Sequence, residues 1–442
     1  MKKRTMIAVA AAMVATAGPL AHAQAQEGGP TLTLEQALTL AAKNNRQLYA
    51  DRSKLLQAQA QLDQGWAALF PTVAAQGKYT RNNIGVEFGR PVMDANGNTV
   101  GVQNLRIQRV DQLDGVLSAS LPLLAPAAYP ALQALKAQEQ TAEANLEASR
   151  ASVLVSVAQV FYAASISEEV VAARHSNVEV AQATLKNAQV RFSAGSVTKV
   201  DVDRAELALV KAQQQERDAI AGTANTYRSL ATLLQKDLPF RAVTPNLAPE
   251  QHDERDLASA LKLRPEFRVL ELSVKSLNLS ADAYAWRWAP SLSAFGNARI
   301  FNYDNFAAQS HSWAAGVQLD WALYDGGTRD AQRRFANAQA AENSALADVL
   351  RDTIRDDLTN ARRTLLTKLD GLTVAERSVE LAKETLDLVR VQYEAGTVTQ
   401  VDLLQAQDAL VAAQVALAQA HFDVATADLA LRHAAGTFPP KQ

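Results

Sequence analysis

The sequence predicts a mixed, mainly α-helical fold in which long helical hairpins are joined to four short β-strands. Three observations predict this fold class. One sequence unit occurs twice in tandem, two stretches of more than sixty residues have the composition of continuous helices, and four segments of about ten residues alternate between two faces.

The N-terminus predicts a secretory signal peptide at residues 1–23. A basic start at residues 2–4 precedes an apolar stretch at residues 6–20, and residues 21–23 form a small-residue cleavage site. A second site of the same kind two residues later leaves the exact cleavage position open. Loss of three basic residues takes the formal net charge from −2 to −5.

Composition excludes several classes of protein. A negative balance provides no basic patch that could displace counterions, so we expect no nucleic-acid binding. The chain has no cysteine, which excludes disulfides, thiolate metal sites and a lipid-bearing cysteine anchor. It also lacks zinc-protease, nucleophile-elbow and Walker motifs, and its mature histidines show no metal-ligand spacing. We therefore expect neither catalysis nor a cofactor.

The tandem repeat is the clearest feature of the chain. Residues 190–213 and 391–414 are identical at 13 of 24 positions at a constant offset of 201, and Pro71 matches Pro290 at an offset of 219. The change of offset places a longer connection in the first half. The predicted organisation is a first repeat at 24–236, a polar linker at 237–256 that forms an exposed belt, and a second repeat at 257–442.

Four segments of period two predict β-strands of the length that spans a membrane as a barrel. One face of each strand is largely apolar, and the other carries polar groups. The charged or amide members of the polar faces are Lys78, Asp114, Arg299, Gln318 and Asp320. The predicted strands are 72–80 and 113–123 (strand pair 72–123) and 291–300 and 313–321 (strand pair 291–323), with connections at 81–112 and 302–311.

Long helices follow each strand pair. Residues 131–194 contain neither Gly nor Pro, and residues 328–395 contain only Gly371. At ~1.5 Å per residue, the first of these stretches would span about 96 Å. No uncharged apolar stretch of about 18 residues follows the signal, so no membrane-spanning helix is predicted. The predicted helices are the hairpins 131–236 and 328–434 and the shorter helices 33–66 and 257–286, which lead into the strand pairs.

The number of strands bears on the assembly. Four strands cannot close a barrel, and a lipid bilayer tolerates no open sheet edge. A membrane-spanning arrangement therefore requires several chains, and three chains supply twelve strands. A pair of soluble hairpins and a solid coiled coil remain open alternatives on the pattern alone.

Several segments resemble the TolC-like outer-membrane efflux family. They are RFSAGSVTKVD, QYEAGTVTQVDLLQAQDAL and VQLDWALYDGG, at residues 191–201, 392–410 and 317–327. The resemblance implies a homotrimer with a 12-stranded barrel in outer-membrane lipid, continuous with a helical tunnel through the periplasm. It also implies two partners, an inner-membrane pump and a periplasmic adaptor. The expected function is a passive exit channel for efflux or type I secretion, and the alternative is a structural periplasmic coiled-coil protein that bridges envelope layers.

The resemblance assigns roles at the tunnel entrance. Asp402 matches a position at which three protomers present a ring of carboxylates, and Asp201 with Tyr393 matches a pair that links neighbouring hairpins. Both carboxylates also lie three residues after a Thr, where they can cap a helix. The chain departs from the family pattern at Val398, which replaces a basic residue, and at Gln405, which replaces a second acidic one, so the entrance is closed more weakly or by other residues.

Two further sets of residues complete the predicted sites. The polar strand residues named above, from Lys78 to Asp320, would line the barrel lumen, or form an ordinary solvated wall. The loops at the hairpin tips would contact the adaptor, although their residues also fit simple turn chemistry. The tip residues are Gly195, Ser196 and Val197 in the first hairpin and Gly396, Thr397 and Val398 in the second.

Overall fold

The computed structural model describes residues 30–243, 257–305 and 308–439, so the predicted signal peptide and most of the predicted linker lie outside the described residues. Helices dominate the described part of the chain, as the sequence predicts. The helices are α1 (Leu34–Asn44), α2 (Arg46–Ala67), α3 (Ala128–Ser193), α4 (Lys199–Leu234), α5 (Leu257–Leu263), α6 (Pro265–Trp286), α7 (Thr328–Glu394) and α8 (Gln400–Ala434).

The strands form a four-stranded antiparallel sheet and two small two-stranded sheets. The main sheet has the order β2-β5-β7-β8, while β3 pairs with β4 and β1 pairs in parallel with β6. The strands are β1 (Thr31–Leu32), β2 (Thr72–Arg81), β3 (Val86–Met93), β4 (Thr99–Gln108), β5 (Asp111–Leu124), β6 (Arg241–Ala242), β7 (Ser291–Phe301) and β8 (His311–Asp320).

The two long helices, α3 and α7, contain 66 and 67 residues and agree with the predicted stretches to within three residues at each end. One 18-residue window of α3 is apolar enough to cross a membrane, which the sequence analysis did not identify. Val157, Phe161 and Ala164 in α3 are fully buried within the protein. A stripe at this spacing is the packed face of a core helix, which accounts for the apolar composition.

The chain divides into two compact units, and each draws on three separate parts of the sequence. One unit contains Val157–Leu247 and Leu369–Ala425 with the N-terminal segment, and therefore holds the α3–α4 and α7–α8 hairpin tips. The other contains Leu40–Ser156 and Ala248–Lys368 with the C-terminal segment, and therefore holds the main sheet. Each unit includes residues of both repeats.

In the first unit, a polar network fixes the chain that follows α4. Glu168 accepts hydrogen bonds from the Tyr227 hydroxyl and, at 2.7 Å, from Arg241 Nε, while the Tyr227 oxygen accepts the amide of Ala242 at 3.0 Å. Burial and the Glu168 carboxylate raise the pKa of Tyr227 well above its usual range. Phe240 and Ala242 are buried here. The described start of the linker, residues 237–243, therefore alternates between buried and exposed positions and contains the short strand β6. The exposed belt predicted for 237–256 stays a prediction, because the rest of that segment lies outside the described residues.

In the second unit, the register of the main sheet confirms the predicted alternation of faces. Lys78 lies opposite Asp114, Val116 lies opposite Arg299, and Ser293 lies opposite Gln318. Residues directly opposite in a sheet have side chains on the same face. The polar residues predicted from the four strands therefore share one face. The other face carries exposed apolar side chains, including Val73, Tyr79, Leu117, Trp313 and Val317.

The connection at residues 81–112, predicted as a loop, contains the hairpin β3–β4. Its turn follows Asp94, whose carboxylate accepts the amides of Asn96 and Asn98, and Gly97 has a φ of +84°. Only Gly adopts that backbone conformation freely. The Asn-Gly turn signal was present in the sequence, but the strand on its first side contains a Gly and a Pro, which weakens the pattern.

The two shorter helices are each interrupted once, which the sequence analysis did not predict. Asn45 separates α1 from α2, and its side chain accepts the amides of Gln47 and Leu48 at 2.9 and 3.4 Å. Arg264 separates α5 from α6 because Pro265 has no amide hydrogen and disfavours helical backbone before it. The breaks occupy equivalent positions at the offset of 219.

Candidate functional site at the hairpin tips

Both hairpin tips turn through the same backbone motif. Gly195 and Gly396 have φ angles of +76° and +79°, which glycine adopts without strain. In the first tip the amide of Ser196 donates to the carbonyl of Arg191, and in the second the amide of Thr397 donates to the carbonyl of Gln392, both at 2.9 Å. This six-to-one bond is typical of a Schellman end and stops each descending helix at the expected residue.

Each ascending helix starts with a Thr–Asp pair. The backbone amide and hydroxyl of Thr198 both donate to Asp201 Oδ2, at 3.0 and 2.8 Å. Thr399 donates to Asp402 Oδ2 in the same way, at 2.9 and 2.6 Å. These bonds from the Thr side chains, and then from their amides, hold the pKa of both carboxyls below the usual range. Both aspartates therefore cap their helices in this structure.

A contact between the two hairpins lies beside the tips. The guanidinium of Arg191 stacks over the ring of Tyr393, 4.6 Å from its centroid, and Arg191 Nη1 donates to the Tyr393 carbonyl at 3.3 Å. We call this pair the tip contact. Tyr393 is only 6% exposed. The family resemblance indicates a role for Tyr393 but none for Arg191. The counterpart of Arg191 in the second repeat is Gln392, and this difference between matched positions is the signal in the sequence that points to Arg191.

One face of α8 packs on the first hairpin. Gln407 Nε2 on this face donates to the Thr184 hydroxyl of α3 at 2.9 Å. Leu403 and Gln400 continue the same helical stripe toward the tip and are also buried. Gln400 is 4% exposed, and neither atom of its amide has a hydrogen-bond partner among the described residues. This is a second feature that the sequence did not reveal.

The remaining predicted tip residues lie on the surface. Ser196 and Thr397 are exposed, and Val197 and Val398 are half-buried. Gln405 is exposed on α8. Contact of these loops with an adaptor stays a prediction, as do the carboxylate ring of Asp402 and the link between Asp201 and Tyr393.

The polar face of the main sheet carries an ion pair between Asp114 and Arg299. Asp114 accepts hydrogen bonds from Arg299 Nη2 at 2.6 Å and from the Tyr303 hydroxyl at 2.9 Å, and Gln318 Nε2 donates to Asp320 at 2.8 Å. In the part of the chain that the structure describes, no group of three or more His, Cys, Asp or Glu side chains could hold a metal ion. That the polar residues of this face line a barrel lumen stays a prediction.

Comparison with known proteins identifies relatives across the chain. The outer membrane efflux protein BepC of Brucella suis is 25% identical over 281 residues, which cover 62% of this chain and 61% of that protein. The toluene efflux pump outer membrane protein TtgC of Pseudomonas putida is 22% identical, with 91% and 82% covered. The alkaline protease secretion protein AprF of Pseudomonas aeruginosa is 23% identical, with 84% and 78% covered.

Solved structures share the fold. The crystal structure of CusC superposes with a TM-score of 0.77 at 16% identity, with 91% of each chain covered. The CmeC outer membrane channel of Campylobacter jejuni superposes with a TM-score of 0.75 at 19% identity, with 91% of this chain and 85% of that chain covered. These likenesses confirm the mainly helical fold with short strands.

A family model decides the assignment. The model described as outer membrane efflux protein matches residues 37–235 and 257–437, which are nearly all of the described helices and strands. The match confirms the resemblance found in the sequence and the location in the outer membrane, and it does not support the alternative of a structural periplasmic coiled-coil protein. The chain therefore belongs to the outer membrane efflux protein family.

Proposed function

We propose that three copies of this chain form a passive exit channel through the outer membrane. Each copy contributes β2, β5, β7 and β8 to one 12-stranded barrel, and the helical hairpins continue the channel into the periplasm. An inner-membrane pump and a periplasmic adaptor deliver the substrate to the hairpin tips. The channel itself conducts without catalysis.

The observation that carries this proposal is the open four-stranded sheet. Its outer strands, β2 and β8, each have one side that pairs with no strand of the described chain. Sheet edges left unpaired in lipid are very costly, since no water is present to satisfy their amide and carbonyl groups. Pairing β8 of one copy with β2 of the next removes every edge. Three copies then give twelve strands, a barrel wider than the eight-stranded kind whose interior side chains fill.

The two faces of the sheet support the same arrangement. Exposed apolar side chains on one face, such as Leu117 and Trp313, match a surface that lipid covers. The opposite face holds the Asp114–Arg299 ion pair at 2.6 Å, which fits a water-filled lumen. Among the relatives, one is named for toluene efflux and another for protease secretion. A wide channel without a specific binding site accommodates both kinds of substrate, so we propose that the pump selects the substrate.

Neighbouring positions on β5 provide a matched test. Leu117→Arg places a charge on the apolar face at the middle of the strand, where arginine in lipid costs about 2–4 kcal/mol per copy. Ser118→Arg places the same charge on the polar face. We expect heat-resistant trimers of Ser118→Arg in outer-membrane fractions, and we expect no such trimers of Leu117→Arg.

Conductance of the purified wild-type protein in a planar bilayer completes the test. The proposed channel produces discrete conductance steps, whereas a protein that only bridges envelope layers produces none. Equal membrane yields of Leu117→Arg and Ser118→Arg, or a wild-type protein without conductance, would contradict the proposal.

A further inference from the structure

The chain that follows α8 packs on the break between α5 and α6. We call residues 435–439 the C-terminal strap. It turns at Gly436, which has a φ of +70° and approaches Leu263 so closely that an added Cβ would lie 2.6 Å from the Leu263 Cβ. Ala435 and Phe438 of the strap are buried. The strap is therefore a packed part of the unit that holds the main sheet.

Hydrogen bonds close the strap onto the last turn of α8. The amide of Gly436 donates to the His433 carbonyl at 3.0 Å, and the amides of Thr437 and Phe438 donate to the Arg432 carbonyl at 2.9 and 3.3 Å. The Thr437 hydroxyl donates to the same carbonyl at 3.1 Å. These three amides are therefore protected from hydrogen exchange only while the strap is closed.

Two basic side chains lie where the strap meets the break. Arg264 is 8% exposed, and its Nη1 has no hydrogen-bond partner among the described residues, although its Nε donates to Glu266 at 3.3 Å. His433 is half-buried, and its Nδ1 is buried without a hydrogen-bond partner in the described part of the chain. The junction already holds one buried positive charge, and protonation of His433 would add a second.

The surroundings of His433 disfavour its charged form. Burial, and after it the positive charge of Arg264, lower the pKa of His433. Glu266 in α6, Asp357 in α7 and the backbone of Phe438 act in the opposite direction but do not compensate. The imidazole is therefore neutral while the strap is closed, and it gains a proton more easily once the strap opens and water reaches it.

We propose that His433 makes the C-terminal strap an acid-sensitive clamp. The neutral imidazole allows the strap to close on the α5–α6 break, and protonation of the imidazole releases the strap and exposes Phe438. Histidine is the side chain whose ordinary titration falls between pH 5 and 8. All of these residues lie in one compact unit, so the inference goes beyond the proposed channel function and does not depend on it.

The direction of the effect follows from proton linkage. A histidine whose pKa is lowered in the folded state costs that state nothing at pH values above its unfolded pKa of about 6.5. As the pH falls below that value, the open strap binds the proton and the closed strap does not, so the closed form is destabilised. Ordinary carboxyl groups stay ionised down to a pH of about 5, so a change between pH 7.5 and 5.5 reports histidine.

Hydrogen–deuterium exchange of the strap amides in the full-length protein measures opening of the clamp. We expect exchange at residues 436–438, corrected for intrinsic rates, to be about threefold or more faster at pH 5.5 than at pH 7.5. His433→Gln keeps a polar side chain that cannot be protonated, so this response should disappear. His433→Lys is charged at both pH values, so fast exchange should be present already at pH 7.5.

His421→Gln is the matched control. His421 also belongs to α8 and is half-buried, but its Nδ1 lies 3.1 Å from Glu169 in the other compact unit. This variant should keep the pH response of the wild type. Membrane yield and helical circular dichroism establish that each variant is folded.

Two results would overturn the inference. Equal corrected exchange at pH 7.5 and 5.5 in the wild type would show that the strap does not respond to acid, and this measurement needs no variant. A pH response of the strap that persists in His433→Gln would show that another group controls it.

Discussion

The two hairpin tips share one backbone design and differ in what their side chains contact. Both end a helix of more than sixty residues at a glycine with positive φ and begin the next with a Thr–Asp pair. Only the second tip has its aromatic residue buried, because Arg191 of the first hairpin covers Tyr393 while Phe192 stays exposed. The two repeats thus share the turn, and differences in a few side chains determine that the first hairpin covers the aromatic residue of the second tip and not the reverse.

The largest expected effect tests what the tips share. Gly195→Ala and Gly396→Ala each place a Cβ where φ is positive, at a cost of about 1–2 kcal/mol, although nothing lies within 4 Å of either added atom. We expect exchange of the tip amides to rise about tenfold in both variants. Gly371→Ala, inside α7 with open space around it, is the control and should not loosen either tip. Faster exchange at only one of the two tips would show that the two turns are not equivalent.

The next prediction separates the two aspartates by function. Both cap a helix, but only Asp402 is predicted to belong to a ring of carboxylates at the entrance. Asp402→Asn should reduce cation over anion permeability about threefold or more, because a ring of like charges favours cations. Asp201→Asn is the control with the same loss of a cap. Reversal potentials in a salt gradient give the permeability ratio of each variant. Equal ratios in Asp402→Asn and Asp201→Asn would exclude a carboxylate ring at Asp402.

A smaller effect concerns acid. Hydrogen bonds from Thr198 and Thr399 lower the pKa of Asp201 and Asp402 in the folded protein. A group whose pKa is lowered in the folded state stabilises that state at pH values above its unfolded pKa. This stabilisation is lost as the pH falls through the folded pKa. We therefore expect both tips to fray together below a pH of about 4. Asp201→Asn should remove the acid dependence of the first tip alone, as measured by tip-amide exchange corrected for intrinsic rates.

The smallest expected effect distinguishes the hairpin shafts. His175 Nδ1 lies 2.6 Å from Glu216 Oε1, linking α3 to α4, and this hydrogen bond raises the pKa of His175. The equivalent positions of the second hairpin are Glu376 and Leu417, which cannot form the link.

A group whose pKa is raised in the folded state stabilises that state at pH values below its unfolded pKa. This stabilisation is lost as the pH rises through the folded pKa. Raising the pH from 6 to 8 should therefore loosen the first shaft slightly and leave the second unchanged. Exchange at residues 172–178 in wild type and His175→Gln gives the comparison. A pH response that survives in His175→Gln would refute the assignment to this histidine.

Much of the architecture follows from local pattern. Helix composition predicts the ends of α3 and α7 to within three residues, period-two alternation predicts the four strands and their shared polar face, and the glycine and Thr–Asp signals predict both tips. Each of these depends on residues a few positions apart. Weaker local signals failed where a competing feature interrupted them, as in β3, which contains Gly89 and Pro91, and at the helix breaks before Arg46 and Pro265.

By itself, the amino-acid sequence determined the repeat, the lengths of the helices and the residue types at the tips, because these depend on backbone preference and periodicity. Only the tertiary structure decided that Arg191 covers Tyr393 and that Glu168 accepts hydrogen bonds from Tyr227 and Arg241. The same holds for the buried side chain of Gln400, whose amide has no hydrogen-bond partner among the described residues. Such contacts join positions far apart in the chain. They depend on how complete helices pack, and no local pattern of residues specifies that packing.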